Sequence, residues 1–320
     1  MPAPSELLDT KVVALGGGHG LSANLAALRR VVHHLTAVVT VADNGGSSGR
    51  LRSEFGCLPP GDLRQALAAL CGDDDWGSTW ARVLQHRFGS DGPMDQHAVG
   101  NLLIVALWEL LGDTVHGLEW VGRLLGAHGR VLPMAEIPLD IVASVLGLDP
   151  DDPAARTIVR GQSEVASTPG QVVSVRLDPR DPPACPDALV AIDVADWVVL
   201  GPGSWFTSVI PHLLVPDLRK ALVTTDAKKI VTLNLEPQPG ETDGFAPDTH
   251  LEVLADHAPE LRLDVVLVDS ASVVDADQLE GTVARLGAEL VVADVSVDDG
   301  SSRHDPEKLA SAYARIIGAT

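Results

Sequence analysis

Asn44-Gly45-Gly46-Ser47-Ser48-Gly49 follows the apolar run Val38–Val41 and leads into Arg50 and Arg52. Consecutive main-chain N–H groups in such a turn can form an anion-binding nest, to which the two serine hydroxyls add donors. Guanidinium forks pair phosphate bidentately, and Arg64 stands early in the next helical stretch. A solvated, flexible loop is the plainer alternative. The position straight after a buried strand, at the carboxyl edge of a sheet, favours an anion.

Gly16 to Gly20 (GGGHG, with His19 inside it) is a second strand-to-helix joint. Glycine there lets a ligand touch the backbone, and the helix dipole favours negative charge. Gly18-x-Gly20-x-x-Ala23 matches a dinucleotide fingerprint, and Asp43 lies near the ~20-residue spacing of a ribose-binding acid. Alone this is a weak signal, since glycines also make ordinary tight turns. Gly201-Pro202-Gly203-Ser204 is a third joint of the same kind. Asn234 ends another strand, and Thr242 lies in the loop after it. His97 reads as a helix cap or a core-edge histidine. Asn101, at the start of an apolar helix, needs a partner for its amide, either a neighbouring loop or a ligand. Polar residues at several strand ends point to one crevice.

Other chemistries lack their residues. There is no G-x-x-x-x-G-K-[ST] loop, no H-E-x-x-H and no cysteine–histidine spacing for a metal, and Gly201–Ser208 is not a G-x-S-x-G elbow. Cys57, Cys71 and Cys185 are odd in number and far apart, as reduced core thiols would be.

The elements that must carry these loops alternate. "KVVALGGG", "GLSANLAALRRV" and "LTAVVTVAD" read as strand, helix, strand. "PPGDLRQALAALCG" reads as a helix capped by Asp62. From about 130 to 180, short β-prone runs between Pro, Gly and Asp clusters suggest an antiparallel insertion. Alternation then resumes to the end. The expected fold is α/β, a Rossmann-like doubly wound, mostly parallel sheet with a small antiparallel β insertion, as a single domain over 1–320.

Composition narrows the partners. The 320 residues carry 44 acids against 23 bases, a formal charge of -21. That argues against nucleic acid and against anionic membrane surfaces. The opening "MPAPSELLDTK" has neither a basic start nor an apolar core, so no signal peptide is expected. No apolar run approaches the ~20 residues of a membrane span. A cytoplasmic protein is expected.

Together the loops resemble the gluconeogenesis-factor family, the YvcK type, within the wider CofD-like superfamily. The stretches that carry the resemblance are "ALGGGHGLS", "VTVADNGGSSGRLR", "PPGDLR", "QHRF", "HAVGN", "VLP", "VLGPGSWFTSVIPHLLVP", "GETDGF" and "RHDPEKLA", in family order over almost the whole chain. The resemblance implies a cytosolic Rossmann-like protein that binds UDP-sugars, notably UDP-N-acetylglucosamine. Such a protein supports cell shape and peptidoglycan synthesis on gluconeogenic carbon sources. The CofD relatives transfer a phospholactyl-type group from a nucleotide diphosphate donor. Departures from the family pattern are Asn44 where a second Asp is common, His19 for a small hydroxyl residue, Pro239 for a polar one, and Asp305 after Arg303-His304. The loss of one carboxylate weakens any divalent-metal site.

The leading expectation is a nucleotide-sugar-binding regulator with no required turnover and no required cofactor. Its candidate ligand-binding residues are Gly16, Gly17, Gly18, His19, Gly20, Asp43, Asn44, Gly45, Gly46, Ser47, Ser48, Arg50, His97, Asn101, Gly201, Gly203, Ser204, Asn234, Thr242 and Arg303. The glycine loops would hold the diphosphate, Asp43 or Asn44 a hydroxyl, and Arg303, by resemblance, would contact the nucleotide sugar. Cell-wall or regulatory proteins would read the bound state, and homo-oligomerisation stays open. The alternative is a CofD-like phosphotransferase in which Asp43 holds Mg²⁺ or acts as base. An NAD(P)-dependent oxidoreductase ranks last, because the only tyrosine, Tyr313, offers no Tyr-x-x-x-Lys pattern.

Overall fold

The computed structural model describes residues 7–238 and 240–319, so Pro239 and most of the N-terminal stretch in which no signal peptide is expected lie outside the described residues. The strands in chain order are β1 (Leu8–Gly16), β2 (Val32–Val39), β3 (Arg130–Pro133), β4 (Asp140–Leu146), β5 (Thr157–Arg160), β6 (Gln171–Asp178), β7 (Trp197–Leu200), β8 (Lys228–Thr232), β9 (Val265–Asp269) and β10 (Glu289–Ala293). Seven of them form one sheet in the order β10-β9-β8-β7-β1-β2-β3, with every pairing parallel. The fold is the mostly parallel α/β sheet expected, and β4, β5 and β6 form the small antiparallel sheet, in the order β5-β4-β6.

The sequence pattern explains this division. Trp197–Leu200 and Val265–Asp269 are buried along their whole length, because helices cover both faces of a parallel sheet. Thr157–Arg160, by contrast, is mostly exposed and sits at an edge of the small sheet. Arg130–Pro133 does not belong to the insertion: it pairs with Thr36–Val39 as the outer parallel strand. A four-residue apolar run has the same pattern in either sheet, and only its partner decides. The antiparallel part therefore spans Asp140–Asp178. Its buried residues Ile141, Val145, Val165 and Val172 belong to the same continuous apolar core as the main sheet.

Five helices place the candidate loops: α1 (Gly18–Leu28), α2 (Gly46–Phe55), α3 (Pro60–Ala69), α4 (Asp75–Gln85) and α5 (Val99–Leu111). The chain leaves β1 toward β2 and β3, then returns past β1 to build β7 through β10. The switch point thus lies between β1 and its two neighbours, where crevices open at the carboxyl ends of strands. α3 starts at Pro60 with Pro59 as its cap, so Asp62 sits inside the first turn and does not cap it. Proline suits that entry because its missing N–H would be unpaired there in any case. Among the described residues, no helix is long and apolar enough to cross a membrane.

Candidate anion-binding site

Two helices begin side by side at the switch point. One residue, Gly17, separates β1 from α1, and a short loop separates β2 from α2. The loops are tied together, since the Thr40 N–H donates to the Gly16 carbonyl at 2.9 Å. The two entry glycines, Gly17 and Gly45, offer no side-chain cap, and neither helix carries an acid in its first turn. Four other helices are capped by aspartate, at Asp74, Asp113, Asp275 and Asp305. Neither helix start is capped by its own side chain, so further leading N–H groups can serve an anion, which both dipoles favour.

The glycines do different work. Gly18 and Gly46 have φ of +56° and +47°, with open space where a Cβ would stand. They face outward. Gly20 is a packing residue, because a Cβ there would lie 2.3 Å from the Pro202 carbonyl oxygen. The Gly16–Gly20 and Gly201–Ser204 loops therefore meet backbone to backbone. Asn24 fixes this joint by donating from Nδ2 to the Gly201 carbonyl at 2.7 Å. Asn234 completes it: its Oδ1 accepts from Gly203 N–H and its Nδ2 donates to the Gly203 carbonyl, both at 2.8 Å.

Several candidate side chains pair with one another beneath the surface. The Ser47 hydroxyl lies 3.0 Å from His97 Nδ1 and accepts from Asn101 Nδ2 at 3.0 Å. Asn101 Oδ1 in turn accepts from Arg64 Nε at 2.8 Å. Ser47, His97, Asn101 and Arg64 are all buried. They brace α2 against α3 and α5. Arg50 spends its guanidinium on the Pro93 and Asp95 carbonyls, at 3.1 and 2.6 Å. Arg52 ties α2 to the insertion through the Leu139 carbonyl and Asp140, at 2.9 and 2.7 Å. Arg64 keeps a buried Nη1 without a partner. Burial first, then Arg87, pulls its pKa down to about 10, so it stays a cation near neutrality.

Asp62 is the residue whose importance the sequence reading missed. It is buried, with Oδ2 unpartnered and 2.7 Å from where a Cβ on Gly17 would stand. Burial, and then the neighbouring Asp43, raise its pKa to about 7, against the opposing effects of the Gly18 N–H and Arg64. The signal was present in the sequence: with Pro59-Pro60 filling the cap position, an aspartate in the first turn is free for other work. Asp43 itself turns back to accept from Gly45 N–H at 2.8 Å. Ser48 is buried beside Gly61, and His19 is exposed.

Asn44 reaches the insertion. Its Nδ2 donates to Glu164 Oε2 at 2.8 Å, and its Oδ1 accepts from Ser163 N–H at 3.1 Å. An aspartate there would place a second acceptor against Glu164, so the asparagine suits the partner that it has. Thr242 is fully buried and accepts from Gln238 N–H at 2.8 Å, inside its own loop. Glu241, next to it, accepts from the Ser204 hydroxyl. Arg303 lies in a segment that returns to the loop after β8, where the neighbouring Ser302 donates to Glu236. It is exposed in the turn after β10, paired with Asp299 at 2.7 Å, four strands from β1 in the sheet order. Among the described residues, no group of three or more His, Cys, Asp or Glu side chains is arranged to hold a metal ion.

The profile of the family described as 2-phospho-L-lactate transferase CofD matches residues 12–305. A putative gluconeogenesis factor of Mycobacterium tuberculosis (strain CDC 1551 / Oshkosh) is 52% identical over 316 residues, covering 97% of this chain and 92% of that protein. The gluconeogenesis factor of Listeria monocytogenes is 34% identical over 318 residues, covering 96% of this chain and 95% of that one. A crystal structure of a UPF0052-family protein from Bacillus halodurans superposes with a TM-score of 0.83 at 33% identity, covering 96% of this chain and 99% of that chain.

Proposed function

Because the chain belongs to the gluconeogenesis-factor family within the CofD-like group, we propose that it is a cytoplasmic UDP-sugar-binding regulator, with UDP-N-acetylglucosamine the first ligand to test. The carrying observation is the pair of uncapped helix starts at Gly18 and Gly46 on adjoining loops. A diphosphate matches them: it is all acceptor, doubly charged, and long enough to touch two neighbouring helix ends. The ligand shifts a conformational population that partner proteins of cell-wall synthesis or of its regulation read. No turnover is required for that role. A thermal-shift and calorimetric panel of UDP-N-acetylglucosamine, UDP-glucose, GDP and NADP tests it. The expected result is stabilisation by the UDP-sugars; no response to millimolar UDP-N-acetylglucosamine overturns the reading.

One observation favours a second reading. Asp43 and Asp62 adjoin closely enough for Asp43 to raise the pKa of Asp62, a pairing that a divalent cation would relieve. Two carboxylates with phosphate oxygens and water suit Mg²⁺, so Asp43 and Asp62 would hold it, and it would supply charge neutralisation at a transferring phosphoryl group. On this reading the chain is a CofD-like phosphotransferase. It requires consumption of a nucleotide diphosphate donor that stops in Asp43→Asn.

A further inference from the structure

We propose that Ser204, held by Glu241, is the ligand's hydrogen-bond acceptor: it takes a hydroxyl or N–H of the sugar or nucleoside and rejects the phosphates. The inference rests on the nucleotide-sugar reading and adds to it a residue that decides specificity.

Ser204 stands at the cap position of the turn Trp205–Val209, where a serine hydroxyl ordinarily bonds a leading N–H; here it makes no cap bond. It donates instead to Glu241 Oε2, from the loop after β8. Glu241 is 4% exposed. Burial pushes its carboxyl pKa up, while the Ser204 and Thr207 hydroxyls and the Phe206 and Thr207 N–H groups pull it back. Burial is the largest of these effects, and the Ser204 hydroxyl is the side-chain donor that reaches Oε2.

A hydroxyl has one proton. Once that proton is committed to Glu241, the oxygen shows only lone pairs to the crevice. A phosphate oxygen would meet lone pair against lone pair. A sugar hydroxyl, an acetamido N–H or the imide N–H of a pyrimidine fits. The position is rigid as well. Gly203 is clamped by Asn234 on one side, and the Gly20 backbone packs on Pro202 and Gly203 on the other. Ser204 remains half-buried beside the first turn of α1. A nucleotide sugar carries its donors at both ends and only acceptors in the middle. Main-chain N–H groups would hold the middle, and Ser204 one end.

The test is calorimetric titration of the full chain with UDP-N-acetylglucosamine, UDP and inorganic pyrophosphate. Ser204→Ala is expected to lose about three- to tenfold in affinity for UDP-N-acetylglucosamine, the scale of one hydrogen bond. Its affinity for pyrophosphate is expected to stay within about twofold of wild type, as nothing phosphate-facing is removed. An equal loss for UDP assigns the contact to the nucleoside; a loss confined to UDP-N-acetylglucosamine assigns it to the sugar, and both outcomes support the proposal. Glu241→Gln, which frees the hydroxyl to turn, should show the same selectivity in weaker form. If that variant does not fold, Ser204→Ala decides alone. Equal weakening of pyrophosphate and UDP-N-acetylglucosamine makes Ser204 a phosphate donor and overturns the inference, as does no change with any probe. Failure of the wild type to bind UDP-N-acetylglucosamine overturns the functional reading itself, and this inference with it.

Discussion

At the residue scale, the electrostatics of the site turn on Asp62. Its folded pKa of about 7 lies above the ordinary 3.8, so the folded protein holds this proton more tightly than the unfolded chain does. The stabilisation is complete below about pH 3.8 and is lost as pH rises through about 7. Urea unfolding at pH 5 and pH 8 should therefore show a decline with pH that Asp62→Asn flattens. The same substitution should hold pyrophosphate affinity steady between pH 6 and 8, whereas the wild type loses affinity as a carboxylate forms beside Gly17. An unchanged pH profile in Asp62→Asn would remove Asp62 from the site. Ser47 tests the buried network. Ser47→Ala leaves His97 Nδ1 and Asn101 Nδ2 without the partner that they share, a cost of about 1–3 kcal/mol measurable by denaturant unfolding. Its candidate role was legible from residue type, but its partners were not, because His97 and Asn101 are some fifty residues away in sequence.

At the element scale, the joint between α1 and the Gly201–Ser204 loop sets the geometry of the crevice. Gly20→Ala puts a methyl 2.3 Å from the Pro202 carbonyl oxygen, and main chain on both sides cannot give way cheaply. Loss of about 1–3 kcal/mol of stability is expected, together with loss of UDP-sugar binding, since α1 must shift. Gly18→Ala separates the two kinds of glycine: it has open space but a φ of +56°, so its cost is backbone strain of about 1 kcal/mol with α1 still in place. The insertion is held to the site by Asn44 and Arg52. Asn44→Asp removes a donor and sets two acceptors together. Hydrogen exchange in Gln162–Ala166 should then run several-fold faster while that of β1 is unaffected. Equal exchange in the two proteins would show that the clasp holds nothing.

At the scale of the whole molecule, the proposed anion site lies in a chain of formal charge -21. On that reading the long-range field repels the ligand that the local N–H groups would attract. Raising ionic strength should therefore speed UDP-sugar association, as screening acts on the distant charges first. Acid stability belongs to this scale too. His212 is buried and donates from Nε2 to the Val38 carbonyl at 3.0 Å, and burial lowers its pKa to about 4. His304, lowered to about 4 by burial, adds to the effect. Folded values below the ordinary 6.5 mean that this stability is full above about pH 6.5 and is lost as pH falls through about 4.

What the sequence by itself determined was the alternation of strand and helix, the parallel sheet, and the glycine joints at strand ends. These follow from local rules: apolar runs that need cover on both faces, and glycine where the backbone must turn tightly or approach closely. Only the tertiary structure decided which polar residues bond one another. Ser47, His97, Asn101 and Thr242 are candidates along the chain, and the fold gives each a partner of its own. Asp62 reads as a helix cap and Glu241 as one polar residue of the GETDGF loop, and both stand against the glycine loops. The reason is physical. A helix or strand is specified by neighbours a few residues away, whereas the partner of a buried polar group is whatever donor or acceptor the packing brings within 3 Å, and sequence distance says nothing about that.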